Sequence, residues 1–250
     1  MPVAVRKPAW PEGNLVLSAV PPEEHGSLLP HLECIEFPAR RPLYAANARL
    51  SELHFPVSCV VATFGVSREG ATAPYALVGR ESFIGLNALL GDTRAVGSAV
   101  VQNPGRAFRI GVEPMAAAFQ RSEQLRRAVL RCVSSRVLQT SQTSLCNAHH
   151  HVEQRLCSWI LQSIDRAGGA ELRVTQEFAG TVLGVRREAV TIAAMRLQAQ
   201  GAIACARGRI VVRDRRLLQR LACECYGLLR ADVELMMRDI SGAWNGSQAR

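Results

Sequence analysis

The sequence predicts an α+β protein in which an antiparallel, jelly-roll-like β-roll comes first, a long helix follows, and a compact helical unit closed by a β-hairpin comes last. Three observations carry this reading. Short β-rich runs are cut by turn residues between His31 and Val112, an unpunctuated stretch follows Pro114, and a helix, a glycine, a second helix and a hairpin succeed one another between Leu172 and Arg213. With 250 residues and 48% hydrophobic content the chain can fill real cores, and neither a collagen-like nor a disordered composition fits.

Residues 1–30 form a lead-in in which Pro8, Pro11, Pro21, Pro22 and Pro30 allow one short helix at most. Residues 31–113 hold β-rich runs at Cys34–Phe37, Leu53–Phe55, Val57–Phe64, Tyr75–Val78, Val96–Val101 and Ala107–Val112. Pro38, Pro56, Gly65, Gly70, Gly79, Gly91 and Pro104-Gly105 separate them, which is the spacing of an antiparallel sandwich or roll.

Residues 114–147 predict one long amphipathic helix, because Met115, Phe119, Leu125, Val129, Cys132 or Val133, and Arg136 or Val137 recur at steps of three and four. Propensity alone stabilises such a helix little, so it needs a partner surface. It can pack on the β-domain or pair with its copy in a second subunit. Its length and its place between two domains favour the homodimer, with Leu125, Val129, Cys132, Val133, Arg136 and Val137 as the contact residues. The polar run Cys146 to His151 reads as a hinge, after which Val152, Leu156, Trp159, Ile160 and Ile164 restore the helical period up to Gly168-Gly169.

Residues 148–230 make the last domain, and 231–250 a C-terminal tail. Thr175 can cap a helix from Gln176 to Leu183 whose inner face is Phe178, Ala179 and Val182. Gly184 supplies a positive-φ turn and Val185 plugs the corner. A second helix from Arg186 to Ala199 buries Val190, Ala194 and Leu197, which leaves Arg186, Arg187, Glu188 and Thr191 outward at its start. Ala202–Cys205, a turn at Ala206-Arg207-Gly208-Arg209, and Ile210–Arg213 make a hairpin, so the whole is a winged helix-turn-helix.

The charge agrees. The net charge is +9, lysine occurs only at Lys7, and ten arginines stand against four acids between Glu171 and Arg220. A helix-turn-helix is also an ordinary packing unit and exposed arginines are ordinarily just solvated. Here the glycine turn, the arginine-rich helix start, the basic wing and the local surplus coincide, which favours double-stranded DNA as the partner. Arginine can take guanine O6 and N7 together and glutamate can accept from cytosine N4, so Arg187-Glu188 carry the groups for base readout. Arg207 and Arg209 flank the wing tip, where they suit phosphates, and Thr175 and Gln176 stand at the start of the first helix.

The chain resembles the Crp/Fnr superfamily of regulators from about His31 to Tyr226. Gly184-Val185-Arg186-Arg187-Glu188-Ala189-Val190 is similar to the family's G-x-x-R-E-x-V signature, and the resemblance implies base-reading roles for Arg187 and Glu188. Ile192 stands where catabolite-activator-like members carry a further base-reading arginine. Phe83-Ile84-Gly85 resembles the start of the family's phosphate cassette, but Leu86 replaces the ribose-gripping glutamate. Phe83, Gly85, Leu86, Arg94 and Ser98 are the candidate ligand pocket. No cofactor is expected, because a phosphate buried there would lack its cation. The resemblance implies a dimer on a roughly palindromic operator, with RNA polymerase as a partner if the protein activates.

Eight cysteines (34, 59, 132, 146, 157, 205, 223, 225) are scattered, and no signal peptide precedes them, so reduced thiols in a cytoplasmic protein are expected, with no membrane partner. Cys34 and Cys59 lack the spacing of an N-terminal iron–sulfur site. Cys223 and Cys225, two apart on a helix, are expected to point apart, and His149, His150 and His151 to diverge with no cysteine nearby, so no metal site is expected. His31 and His54 lack the H-x-H spacing of a metal cupin, and no nucleophile–base pattern, P-loop or dinucleotide fingerprint is present. The sequence therefore predicts a regulator and no enzyme. The competing classes are a small-molecule-sensing roll that acts through protein contacts and a cupin-like enzyme.

Overall fold

The structure, a computed structural model, describes residues 10–247. In chain order its elements are α1 (Leu15–Ser18), α2 (Pro22–Leu28), β1 (Glu33–Phe37), β2 (Pro42–Tyr44), β3 (Glu52–Pro56), β4 (Val60–Val66), β5 (Thr72–Val78), α3 (Leu86–Leu89), β6 (Ser98–Asn103) and β7 (Gly105–Gly111). There follow α4 (Val112–Arg121), α5 (Glu123–His149), α6 (Val152–Ala167), β8 (Glu171–Leu172), α7 (Gln176–Leu183), α8 (Arg187–Ala199), β9 (Ile203–Ala206), β10 (Arg209–Val212), α9 (Arg215–Leu221) and α10 (Glu224–Ser247).

The roll consists of two antiparallel sheets, β2-β6-β4-β5 and β1-β7-β3. In β4 successive side chains point to opposite faces, as a strand requires. Val61 joins Val78, Ala99 and Val101 between the sheets, whereas Val60, Ala62 and Phe64 turn the other way and meet Leu156, Ile160 and Ile164 of α6. The four-stranded sheet is thus covered on both faces. That explains why β4 is buried without a break from Val60 to Phe64.

The roll and the C-terminal unit are joined by polar contacts as well. Trp159 Nε1 donates to Gln102 Oε1 at 3.0 Å, and Gln102 Nε2 to Ser163 Oγ at 2.7 Å. Buried Arg166 pairs through Nε with Glu81 Oε1 at 2.9 Å, and the same oxygen accepts from the Gly79 amide at 3.0 Å.

Several expectations need correction. The lead-in, expected to hold one short helix at most, forms α1, α2 and a 3-10 turn at Leu29–His31. Val16 and Leu17 are fully buried against the roll, and buried Asn14 donates to the carbonyls of Pro56 and Ser82. The long helix is interrupted at Ser122, whose side chain caps α5 by accepting from the Leu125 amide at 3.1 Å. The expected hinge at 146–151 shrinks to His150-His151, because α5 stays helical through His149. Residues 231–247, expected as a tail, continue α10. Its Asp232 takes Arg131 at 2.7 Å and accepts from Ser135 Oγ at 2.5 Å, and Met236 is buried.

The residues expected to contact a second subunit are mostly covered already. Leu125, Val129 and Cys132 are buried within their own subunit among the roll residues and Met236, with Val133 packed beside them. Arg136 is half-buried and only Val137 of the expected set is exposed, at 61%. An amphipathic period shows that a face is covered but not what covers it.

Candidate nucleic-acid interface

Thr175 caps α7 by accepting from the Phe178 amide at 3.3 Å. Ala179, Val182 and Leu183 then face the core shared with α6 and α8. Gly184 closes α7 with φ +62, a conformation that side chains rarely adopt. Gly180 is equally constrained, since a Cβ there would stand 2.9 Å from the Val185 carbonyl oxygen. The two glycines allow α7 and α8 to approach closely around Val185. In α8, Val190, Ala194 and Leu197 are buried, as the spacing predicts.

Arg186 stands at the N-cap of α8 without a capping side chain, so the first amides of this helix face outward with its positive dipole end. Arg186, Arg187 and Glu188 are all exposed. Thr191 lies half-buried, with Oγ1 2.8 Å from Gln176 Oε1, so it and Gln176 tie α8 to α7 rather than project freely. Ile192 and Met195 are exposed at 54% and 64%. The outward face of α8 therefore combines charge at its start with apolar groups further along. Met195 lies two turns into α8, where a lone apolar residue carries no signal in the sequence.

The wing is β9 and β10 with Arg207-Gly208 at the tip, and β8 adds a third strand beside β10. A groove of about 430 Å³ runs between this hairpin and the start of α8, lined by Thr175, Gln176, Arg187, Arg207 and Arg209 together with Glu177. Five of the eight predicted DNA-binding residues thus meet in one concavity. Glu171 lies 3.5 Å from Arg209 and 3.8 Å from Arg173, while among the described residues Arg186, Arg187 and Arg207 have no carboxylate partner. The Arg209 pair is exposed and contributes little to stability. Thr175 Oγ1 also receives Arg40 Nη2 from the roll at 2.6 Å, which adds a basic residue the sequence pattern did not suggest. Burial pushes the Cys205 thiol on the groove wall up from its ordinary value.

The family model described as the Crp-like helix-turn-helix domain matches residues 154–221. That segment is a Crp-like helix-turn-helix domain. Around the Crp-like domain, the chain has the architecture of solved Crp/Fnr-type structures. FixK2 from Bradyrhizobium japonicum superposes with a TM-score of 0.65 at 16% identity, covering 77% of this chain and 98% of that one. A putative transcriptional regulator of the Crp/Fnr family from Eubacterium rectale gives 0.62 at 17% identity, covering 80% and 94%. TTHB099, a CRP-family regulator from Thermus thermophilus, gives 0.62 at 18% identity, covering 75% and 96%. No curated protein matches the sequence. Among the described residues no helix is long and apolar enough to cross a membrane.

Outside the Crp-like domain, the candidate ligand pocket is only partly assembled as expected. A cavity of about 330 Å³ is lined by Phe83, Gly85 and Leu86 with Tyr44, Tyr75 and Arg136. Arg94 instead lies exposed with Nη1 donating to the Asn47 carbonyl at 3.2 Å, and Ser98 sits on β6 opposite Phe64, so neither lines it. Burial raises the Tyr44 hydroxyl, so it stays a neutral phenol.

The cysteine geometry also departs from expectation. Cys223 lies just before α10 rather than on it, so Cys223 and Cys225 do not diverge as two residues of one helix would. His150 does have cysteines beside it. The Nδ1 atom is 3.4 Å from Cys225 Sγ, and Cys146 lies one helical turn earlier on α5.

Proposed function

We propose that the protein is a sequence-specific DNA-binding transcription regulator of Crp/Fnr type that acts as a homodimer on a roughly palindromic operator, without cyclic nucleotide and without catalysis. The observation that carries this reading is the groove in which Arg187, from the uncapped start of α8, and Arg207, from the wing, are both exposed and, among the described residues, free of carboxylate partners. Arg187 and Glu188 read base edges in the major groove, and Ile192 and Met195 suit thymine methyl groups. Arg207 and Arg209 hold phosphates and fix the register.

The dimer forms through the outward face of α5. Leu130 is 50% exposed, and Val137, Leu138 and Leu145 are exposed with it. Leu130 and Val137, and Leu138 and Leu145, are each seven residues apart, so each pair lines up along the helix and the four make one exposed apolar face. Leu86, buried at the cavity beside α5, gives a ribose hydroxyl no acceptor, which supports the absence of cyclic nucleotide.

Selection of bound fragments from random DNA tests the proposal. The expected product is an inverted repeat with half-sites about one helical turn, roughly 34 Å, apart, and an affinity that falls steeply with salt. A single unpaired half-site, or binding indifferent to salt, would overturn it.

A further inference from the structure

Where α5 ends and α10 begins, four side chains that are distant in sequence bring their ligand atoms together. Cys146 lies in the last turn of α5, His150 at its C-cap, Cys223 immediately before α10 and Cys225 in its first turn. Their Sγ atoms and one imidazole nitrogen all lie within 4.8 Å of one another. From these positions we infer a binding site for a single divalent ion of the zinc class, held by Cys146, Cys223, Cys225 and His150 Nδ1.

The spacings carry the inference. Cys146 Sγ and Cys223 Sγ are 3.6 Å apart, and Cys225 Sγ and His150 Nδ1 are 3.4 Å apart. With metal–sulfur bonds of about 2.3 Å and metal–nitrogen bonds of about 2.0–2.1 Å, the edges of a tetrahedron come to roughly 3.5–3.8 Å. Three thiols and one imidazole are a soft, closed donor set that favours structural zinc over oxygen-seeking magnesium or calcium.

The surroundings are arranged as an outer shell. His150 Nε2 lies 3.1 Å from Glu224 Oε1, so the ring can donate to a carboxylate on one side and present Nδ1 to the ion on the other. Gln142 Nε2 donates to Cys225 Sγ at 3.1 Å, and Ser158 Oγ lies 3.0 Å from Cys223 Sγ. Three thiolates around a dication leave one negative charge. Arg155, buried and within electrostatic reach of Cys146 and Cys223, balances it. Arg155 also donates to Asn147 Oδ1 at 2.6 Å and to the Leu183 carbonyl at the end of α7. The ion would therefore join α5 and α10 directly and, through Arg155, the helix-turn-helix. Metal ligands are deprotonated, so binding releases protons.

The experiment is elemental analysis of the full-length protein purified without chelator, followed by cobalt(II) titration of the metal-stripped chain. The expected result is one equivalent of zinc per chain and, with cobalt, thiolate-to-metal charge transfer with tetrahedral d–d bands. Cys225→Ser is expected to lose the zinc, while Cys157→Ser and Cys205→Ser keep it. Should Cys225→Ser fail to fold, the milder Glu224→Gln is expected to weaken cobalt binding by about 10–100-fold with the fold intact. Three results would overturn the inference: a stripped chain that gives no thiolate–cobalt band, zinc retained unchanged in both Cys225→Ser and Glu224→Gln, or a native Cys146–Cys223 disulfide or iron with acid-labile sulfide in place of zinc.

Discussion

Removing the carboxylate of Glu81 tests how firmly the roll and the Crp-like domain are joined. Its partner Arg166 is buried, with 9% of its side chain exposed, and receives no other carboxylate among the described residues. In Glu81→Ala the guanidinium stays buried and keeps only the Gln162 carbonyl at 3.1 Å, while the Gly79 amide loses its acceptor. A buried charge stripped of its partner costs about 3–5 kcal/mol, and the retained carbonyl places this case near the lower figure. For a chain of this size about 3 kcal/mol corresponds to a melting shift of roughly 6–12 °C. The assay is urea unfolding followed by tryptophan fluorescence and by far-ultraviolet circular dichroism. The double variant Glu81→Leu/Arg166→Met, which removes both charges, is expected to recover most of the loss. A cost below about 1 kcal/mol for Glu81→Ala, or a double variant worse than the single, would refute the assignment of the pair as the buried link.

Other consequences are as direct. Burial, with the nearby Arg109 and Arg41 guanidiniums, pushes His54 down to about 4. The unfolded imidazole takes up its proton below about pH 6.5, whereas the folded one stays neutral until about pH 4. Stability is therefore expected to fall by about 3 kcal/mol as pH drops through that window, and His54→Leu should flatten the profile measured by urea titration. Val137→Asp places a carboxylate in the exposed apolar seam of α5, so sedimentation is expected to show monomers while circular dichroism keeps the helix. Arg207→Ala should lower affinity similarly for all DNA sequences and reduce the salt slope by about 0.9 per half-site, whereas Arg187→Ala should cost about 1–3 kcal/mol per half-site and relax one position in each half of the operator.

What the sequence disclosed and what it withheld divide along physical lines. The strands, the turn at Gly184 and the cap at Thr175 depend on local chemistry, and they lie within a residue or a few of where that chemistry puts them. Strand β2 was missed because Pro42-Leu43-Tyr44 is too short to alternate, and β8 because two residues make no pattern. The lead-in was undervalued because Val16 and Leu17 gain their stability from distant partners such as Phe55 and Phe83. The thiol–imidazole cluster joins residues 77 apart, and it required knowing that Ala222-Cys223 fall between two helices. Five residues of the groove between the wing and α8 were legible because the Crp-like domain builds it almost entirely from one continuous segment.

The doubly covered sheet has a consequence for how a signal can travel. Val60, Ala62 and Phe64 share an interior with Leu156 and Ile160, so swinging the reading head away from the roll would tear open a packed hydrocarbon layer. A fragment starting at Val152 would carry the torn surface with it and should self-associate. If the proposed dimer switches between states, a change in the angle at which its two subunits meet would disturb less packing than the opening of either one.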